Sequence, residues 1–193
     1  MRFDARAVGP LALALLLGSC SNTSNGGATS SGGAADGKYE KAPAQTIDTT
    51  KTYGATIVTA KGTIEVSLNA KAAPVSVNNF VFLAREKFYD GLVFHRVEAG
   101  FVIQTGDPKG NGTGGPGYTI PDEASGLLHE SGALGMAKGS EANSAGSQFY
   151  ITLGAQTSLD GRYTVFGKVT SGLDVVAKIA RNDVMTSVTI TEK

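Results

Sequence analysis

Ile64, Val66 and Leu68 alternate with Thr63, Glu65 and Ser67. That two-residue period is what a strand with one buried face requires. The run it belongs to, residues 63–69, follows residues 53–60 across Lys61-Gly62, a pair suited to a hairpin turn. Further short apolar runs at 92–97, 101–105, 133–137, 148–153, 163–169 and 185–191 bring the strand candidates to eight. Two segments switch to a helical period. After Pro74, a residue suited to a first helical turn, Val77, Phe80, Val81 and Ala84 fall on one face, with Asn78 and Arg85 expected on the surface. Leu173, Val176, Ala177, Ile179 and Ala180 form a shorter stripe. Eight short strands and two helices predict a mainly β domain: a closed eight-stranded antiparallel β-barrel, which removes exposed edges, capped by the two α-helices.

The N-terminal part of the chain has a different pattern. Arg2 and Arg6, with Asp4 between them, precede an apolar run from Val8 to Leu17. As a helix that run spans ~15 Å, about half a hydrocarbon core, which suits a signal segment better than a membrane span. It ends in Leu17-Gly18-Ser19-Cys20, and Cys20 is the single cysteine, so no internal disulfide can form. These residues resemble a bacterial lipobox. The resemblance implies cleavage after Ser19, lipid attachment at Cys20 and an extracytoplasmic, membrane-anchored lipoprotein of a bacterial cell envelope. Residues 21–37 hold Ser, Asn, Thr, Gly, Ala and one Asp, and no large apolar side chain. Such a stretch cannot bury enough surface to offset ordering, and as a coil it reaches ~20–25 Å. The expected organisation is a signal peptide at 1–19, a flexible tether at 20–45 and one domain at 46–193.

Composition narrows the classes. The 193 residues carry 17 Lys+Arg against 17 Asp+Glu. Removing residues 1–19 takes away two Arg and one Asp, leaving 15 basic and 16 acidic residues. A binder of nucleic acid held by phosphate contacts needs a basic excess, so no nucleic-acid partner is expected. Glycine is abundant, at 26 residues, and part of it lies in the run from Gly110 to Gly117. That run contains a formal G-x-G-x-x-G, but Pro116-Gly117 follows where a dinucleotide loop must open a helix. Ser147, His95 and Asp107 supply the residue types of a hydrolase triad, yet Gly146-Ser147-Gln148 lacks the second glycine of a nucleophile elbow. His95 and His129 are the only histidines and lie in no ligand cluster, so neither a metal nor a cofactor is expected.

The chemically dense stretch is Phe94-His95-Arg96-Val97-Glu98-Ala99-Gly100-Phe101-Val102-Ile103-Gln104-Thr105-Gly106-Asp107. It reads as two strands about a tight turn. His95 and Arg96 are consecutive, so both can serve one site only from a bulge or a rim. This stretch resembles the signature of the cyclophilin family of peptidyl-prolyl cis-trans isomerases. The likeness continues through Asn111-Gly112-Thr113-Gly114-Gly115, Met136-Ala137, Asn143, Gly146-Ser147-Gln148-Phe149-Tyr150-Ile151, Leu159-Asp160-Gly161 and Val165-Phe166-Gly167-Lys168-Val169, so it spans residues 53–193. It implies the same barrel with two capping helices and a groove on the barrel's outer face.

In that resemblance Arg96 matches the catalytic arginine, with His95 and Gln104 beside it. Phe101, Val102, Tyr150 and Leu159 match an apolar proline pocket, with Tyr150 where the family usually has phenylalanine. Ala137 and Gln148 match groove residues, and Gly112 and Lys138 match the peptide track. Tyr163, also counted with the groove, stands where many members have histidine. Glu98 replaces an aliphatic residue of the commonest pattern. The implied activity is acceleration of X-Pro rotation in exported polypeptides, or, in a second reading, peptide binding without turnover. The implied partners are proline-containing polypeptides and, through the lipid, a membrane, with the chain acting as a monomer.

Overall fold

The computed structural model describes residues 36–193; the signal segment, Cys20 and the tether up to residue 35 that the sequence leads one to expect lie outside the described residues. The hairpin forms as the alternation requires. Strand β1 (Tyr53–Thr59) pairs antiparallel with β2 (Gly62–Leu68), Thr59 opposite Gly62. Gly62 closes the turn at a φ of 135°, a conformation that disfavours a side chain. Ile57 and Ile64 face each other in this register and are fully buried. Helix α1 (Pro74–Arg85) follows with Pro74 in its first turn. Its free N–H groups are met from a distance: the Glu123 carboxylate accepts from Val75 N and Ser76 N, both at 2.8 Å.

The remaining elements are β3 (Arg96–Glu98), β4 (Val102–Thr105), β5 (Ala133–Met136), β6 (Phe149–Thr152), a 3-10 turn at Thr157–Leu159, β7 (Val165–Ser171), α2 (Leu173–Val176) and β8 (Met185–Glu192). The eight strands form one antiparallel sheet in the order β3-β4-β6-β5-β7-β2-β1-β8. The expected fold class is present as a mainly β, eight-stranded antiparallel architecture with two helices, but the sheet is curled and open. No ladder joins β3 to β8 among the described residues. The isolated Val93–Val184 bridge, the backbone bonds around it, such as Gly91 N to Met185 O at 2.7 Å, and side-chain bonds such as Val188 N to Asp90 Oδ1 at 2.9 Å cross between the two ends. The run 92–97 therefore does not form one strand: its first part crosses toward residues 182–185, and its last two residues, Arg96 and Val97, enter β3 with Glu98.

The core lies inside the curl. Phe80 of α1 meets Tyr89 at 5.1 Å, Phe149 of β6 at 5.3 Å and Phe166 of β7 at 5.5 Å between ring centroids. Two expectations about the helices change. Asn78 is 4 % exposed, not on the surface. Its Oδ1 accepts from Thr46 N at 2.8 Å and its Nδ2 donates to Ala44 O at 3.1 Å, because the chain before β1 covers that face of α1. The second helix is a single turn, and Leu173, placed in its apolar stripe, is 46 % exposed while Val175, Val176 and Ile179 are buried.

The same covering segment revises the tether. Residues 36–45 carry the polar composition of a linker, yet Tyr39 packs edge-on against Phe82 at 5.2 Å and tilts against Phe88 at 6.3 Å. The aromatic seat for Tyr39 and the Asn78 bonds to Ala44 and Thr46 together hold this run against the domain.

Candidate active site

Strand register builds the site. Arg96 of β3 lies opposite Gln104 of β4, Gln104 lies opposite Tyr150 of β6, and Tyr150 lies opposite Gly135 of β5. Four residues on four neighbouring strands thus form one row across the sheet, and directly opposed side chains share a face. The row needs Gly135, because a Cβ there would sit 2.4 Å from the Tyr150 ring. Above it lies a pocket of about 230 Å³ lined by Arg96, Phe101, Val102, Gln104, Ala137, Lys138, Tyr150, Leu159 and Tyr163. Nine of the residues singled out in the sequence meet there. Gly112 and Gln148 line an adjoining hollow of about 300 Å³, which shares Gln104, Ala137 and Lys138 with the first.

His95 falls in neither. It precedes β3 and lines a third, more open hollow with Arg96, Glu98, Gln104, Asn111, Gly112 and Arg181. Strand β3 begins at Arg96, so His95 lies just outside it, and the two side chains share this hollow without sharing the 230 Å³ pocket. His95 is 7 % exposed, and among the described residues neither ring nitrogen has a hydrogen-bond partner. Burial lowers its pKa; Asp107 opposes this, and the Arg181 and Arg96 charges add to the lowering.

The polar groups are chained. Arg96 donates from Nε to Glu98 Oε1 at 2.9 Å and from Nη1 to Gln104 Oε1 at 3.2 Å. Gln104 Nε2 donates to Gln148 Oε1 at 2.9 Å, and Gln148 Nε2 donates to the carbonyls of Gly112 at 3.1 Å and Gly114 at 2.9 Å. The guanidinium also sits 5.6 Å from the Phe101 ring centroid. It is thereby held at the pocket wall, while the side chain as a whole stays exposed. Lys138 is held by an ion pair with Asp122 and lies 5.8 Å from the Tyr163 ring centroid.

Tyr150 forms the floor. Its hydroxyl is 2.9 Å from His129 Nε2, and His129 Nδ1 is 2.8 Å from Asp160 Oδ1. A carboxylate only accepts, so with one ring proton Nδ1 carries it and Nε2 accepts from the Tyr150 hydroxyl. Burial, with smaller contributions from Tyr163 and Asp160, pushes the Tyr150 phenol far above its ordinary range. The backbone and ring N–H groups of His129 hold Asp160 below its ordinary carboxylate range. Sequence reasoning passed over His129 and Asp160. They are 31 residues apart, and only the substitution of tyrosine for phenylalanine at 150 signalled that a buried polar partner was needed.

The hydrolase arrangement does not form. Ser147 is fully buried and donates to Gly106 O at 2.6 Å. The Asp107 carboxylate accepts from Lys109 N at 2.7 Å and Asn111 N at 2.9 Å, and so folds the glycine-rich loop.

An apolar cup beside a fixed guanidinium and two side-chain amides can seat a small apolar ring and donate to groups next to it. Comparison with known proteins agrees with that geometry. Residues 55–193 match the family described as cyclophilin type peptidyl-prolyl cis-trans isomerase/CLD. Peptidyl-prolyl cis-trans isomerase B of Bacillus subtilis (strain 168) is 53 % identical over 129 residues, which cover 66 % of this chain and 90 % of the relative. A peptidyl-prolyl cis-trans isomerase of Helicobacter pylori (strain ATCC 700392 / 26695) is 49 % identical over 142 residues, covering 72 % of this chain and 86 % of the relative. The crystal structure of a Cryptosporidium parvum cyclophilin type peptidyl-prolyl cis-trans isomerase superposes with a TM-score of 0.69 at 29 % identity, over 74 % of this chain and 99 % of that one. The same protein is also known in the presence of the dipeptide Ala-Pro, with a TM-score of 0.68 and 30 % identity over 72 % of this chain and 99 % of that one. The chain belongs to the cyclophilin-type peptidyl-prolyl cis-trans isomerase family and is an enzyme of that class.

The state of His95 sets a pH expectation. Its folded pKa lies below the unfolded value of about 6.5, so between the two the unfolded chain binds a proton that the folded chain does not. Stability should fall as pH drops from about 6.5 through the lower folded value, and His95→Gln should flatten that slope in Tm measured against pH. Above it the imidazole is neutral, so kcat/KM should be level between about pH 6.5 and 8. A titration step in that window that disappears in His95→Gln would contradict this.

Proposed function

We propose that the chain is a membrane-tethered, extracytoplasmic isomerase that accelerates X-Pro rotation in exported polypeptides, with Arg96 stabilising the twisted amide. The X-Pro bond resists rotation by ~18–20 kcal/mol because nitrogen donates its lone pair into the carbonyl. Twisting withdraws that donation and leaves a pyramidal, basic nitrogen. A guanidinium aimed at this nitrogen binds the twisted state more tightly than the planar one, which is what lowers a barrier. The proline ring is held against Phe101, Val102, Tyr150 and Leu159, while the neighbouring amides of Gln104 and Gln148 restrain the backbone beside it. An acceleration of ~10⁴-fold takes only about 5.5 kcal/mol, within reach of a few oriented hydrogen bonds in a drying groove.

The observation that carries this reading is the Arg96–Gln104–Tyr150 row facing the 230 Å³ pocket. It is tested by proline-isomerisation kinetics of the whole protein against the Arg96 variants. Peptide binding without turnover in the intact protein would replace catalysis with a binding role.

The cellular address rests on Leu17-Gly18-Ser19-Cys20. Cys20→Ser should abolish metabolic labelling by a fatty acid in a bacterial host and release the protein from the membrane fraction. Persistent labelling in that variant would exclude Cys20 as the attachment point.

A further inference from the structure

The segment that leads into the domain does more than cover α1. Asp36 Oδ1 accepts from Gly115 N at 2.8 Å, and Asp36 Oδ2 pairs with Lys109 Nζ at 2.9 Å. Gly37 N donates to Gly115 O at 3.0 Å, and Tyr39 N donates to Pro116 O at 2.8 Å. Tyr39 anchors the far end, 5.2 Å from Phe82 and 6.3 Å from Tyr118 between ring centroids. The loop is shaped to receive it. Gly117 has a φ of 106°, and a Cβ there would lie 2.1 Å from Tyr39 O and 3.0 Å from Gly37 C.

The loop so held is the wall of the groove. Gly112, Gly114, Gly115 and Pro116 line the 300 Å³ hollow beside the proline pocket, together with Gln104 and Gln148. Gln148 grips it from inside through Gly112 O and Gly114 O, and Asp107 grips its near end through Asn111 N. Glycines at 110, 112, 114, 115 and 117 make this wall the part of the groove with the largest backbone freedom to lose. The outer grip, at Gly115 and Pro116, comes entirely from residues 36–39 among the described contacts.

We infer that Asp36–Tyr39 is a positioning strap for the peptide groove, so that the chain's own membrane-proximal segment sets the affinity of the domain for its polypeptide substrate. The inference rests on the reading of this groove as the peptide site. The Arg96 guanidinium reaches this wall through Gln104 and Gln148 but keeps its own bond to Glu98, so loosening the outer grip at Gly115 and Pro116 acts mainly on binding.

The test uses full-length protein and a proline-containing tetrapeptide series. Asp36→Ala should raise KM roughly fivefold, the size of one net hydrogen bond, with kcat within about twofold. It should also speed amide exchange at Gly115. Gly117→Ala, which drives a methyl into the strap from the loop side, should do the same. Asp36→Asn keeps an acceptor for Gly115 N and should restore most of the affinity, while Glu40→Ala, at the exposed residue just past the strap, should change nothing. Wild-type KM in both Asp36→Ala and Gly117→Ala overturns the inference, whether or not Gly115 exchange has quickened, because the strap is then packing alone. Equal losses in kcat overturn it as well. A wild-type protein without turnover would instead defeat the isomerase reading, and the strap would then be judged by peptide affinity and Gly115 exchange.

Discussion

Arg96→Ala should lower kcat/KM for a proline-containing peptide by roughly 100- to 1000-fold, the usual loss when one oriented donor to a developing charge is removed. Most of the loss should appear in kcat, because the proline cup of Phe101, Val102, Tyr150 and Leu159 is untouched and planar substrate still binds. Arg96→Lys separates charge from geometry. Lysine keeps the charge but loses the planar fork that reaches Glu98 and Gln104 together, and should recover only part of the rate. Folding does not confound the result. The Arg96 side chain is 45 % exposed, its Glu98 partner is 50 % exposed, and exposed pairs of this kind contribute about 0–1 kcal/mol. Tm should therefore stay within a few degrees. An Arg96→Ala protein that folds and isomerises at the wild-type rate would remove the twisted-amide mechanism.

That prediction was accessible from Arg96 and its neighbours in the chain; the reason for its geometry was not. Alternation exposed β1 and β2 because both strands bury one face over seven residues. The apolar run at 92–97 is misleading as a single strand, since where it leaves one neighbour for another depends on residues 182–185, far along the chain. The groove residues were legible as spaced motifs. Their meeting as a row was not, because it follows from the register of β3, β4 and β6 and from an absent side chain at Gly135. Residues 36–45 looked like linker because composition averages over Tyr39, and Asn78 looked exposed because a one-face stripe cannot show what packs on the other face. Local pattern reports local burial; the strap and the buried polar line under Tyr150 are long-range pairings and leave almost no local trace.

That line carries the second large effect. His129→Ala should destabilise the domain by about 2–4 kcal/mol, combining the space left by a fully enclosed ring with a buried Tyr150 hydroxyl that has lost its acceptor. For a chain of this size a fall in Tm of roughly 5–15 °C follows. Peptide affinity should drop with it, because Tyr150 is the pocket floor and His129 is what fixes its tilt. Tyr150→Phe tests the same bond from the other side. It removes the hydroxyl but leaves the apolar floor, so it should cost about 1–2 kcal/mol, mainly by stranding His129 Nε2, with kcat nearly unchanged. The double variant decides whether the two act as one unit. Once His129 is gone the hydroxyl has nothing to donate to, so adding Tyr150→Phe to His129→Ala should cost nothing further and can recover stability. Strictly additive losses would show that Tyr150 and His129 are independent, and that the floor of the pocket is held by packing against Tyr163 and Leu159 alone.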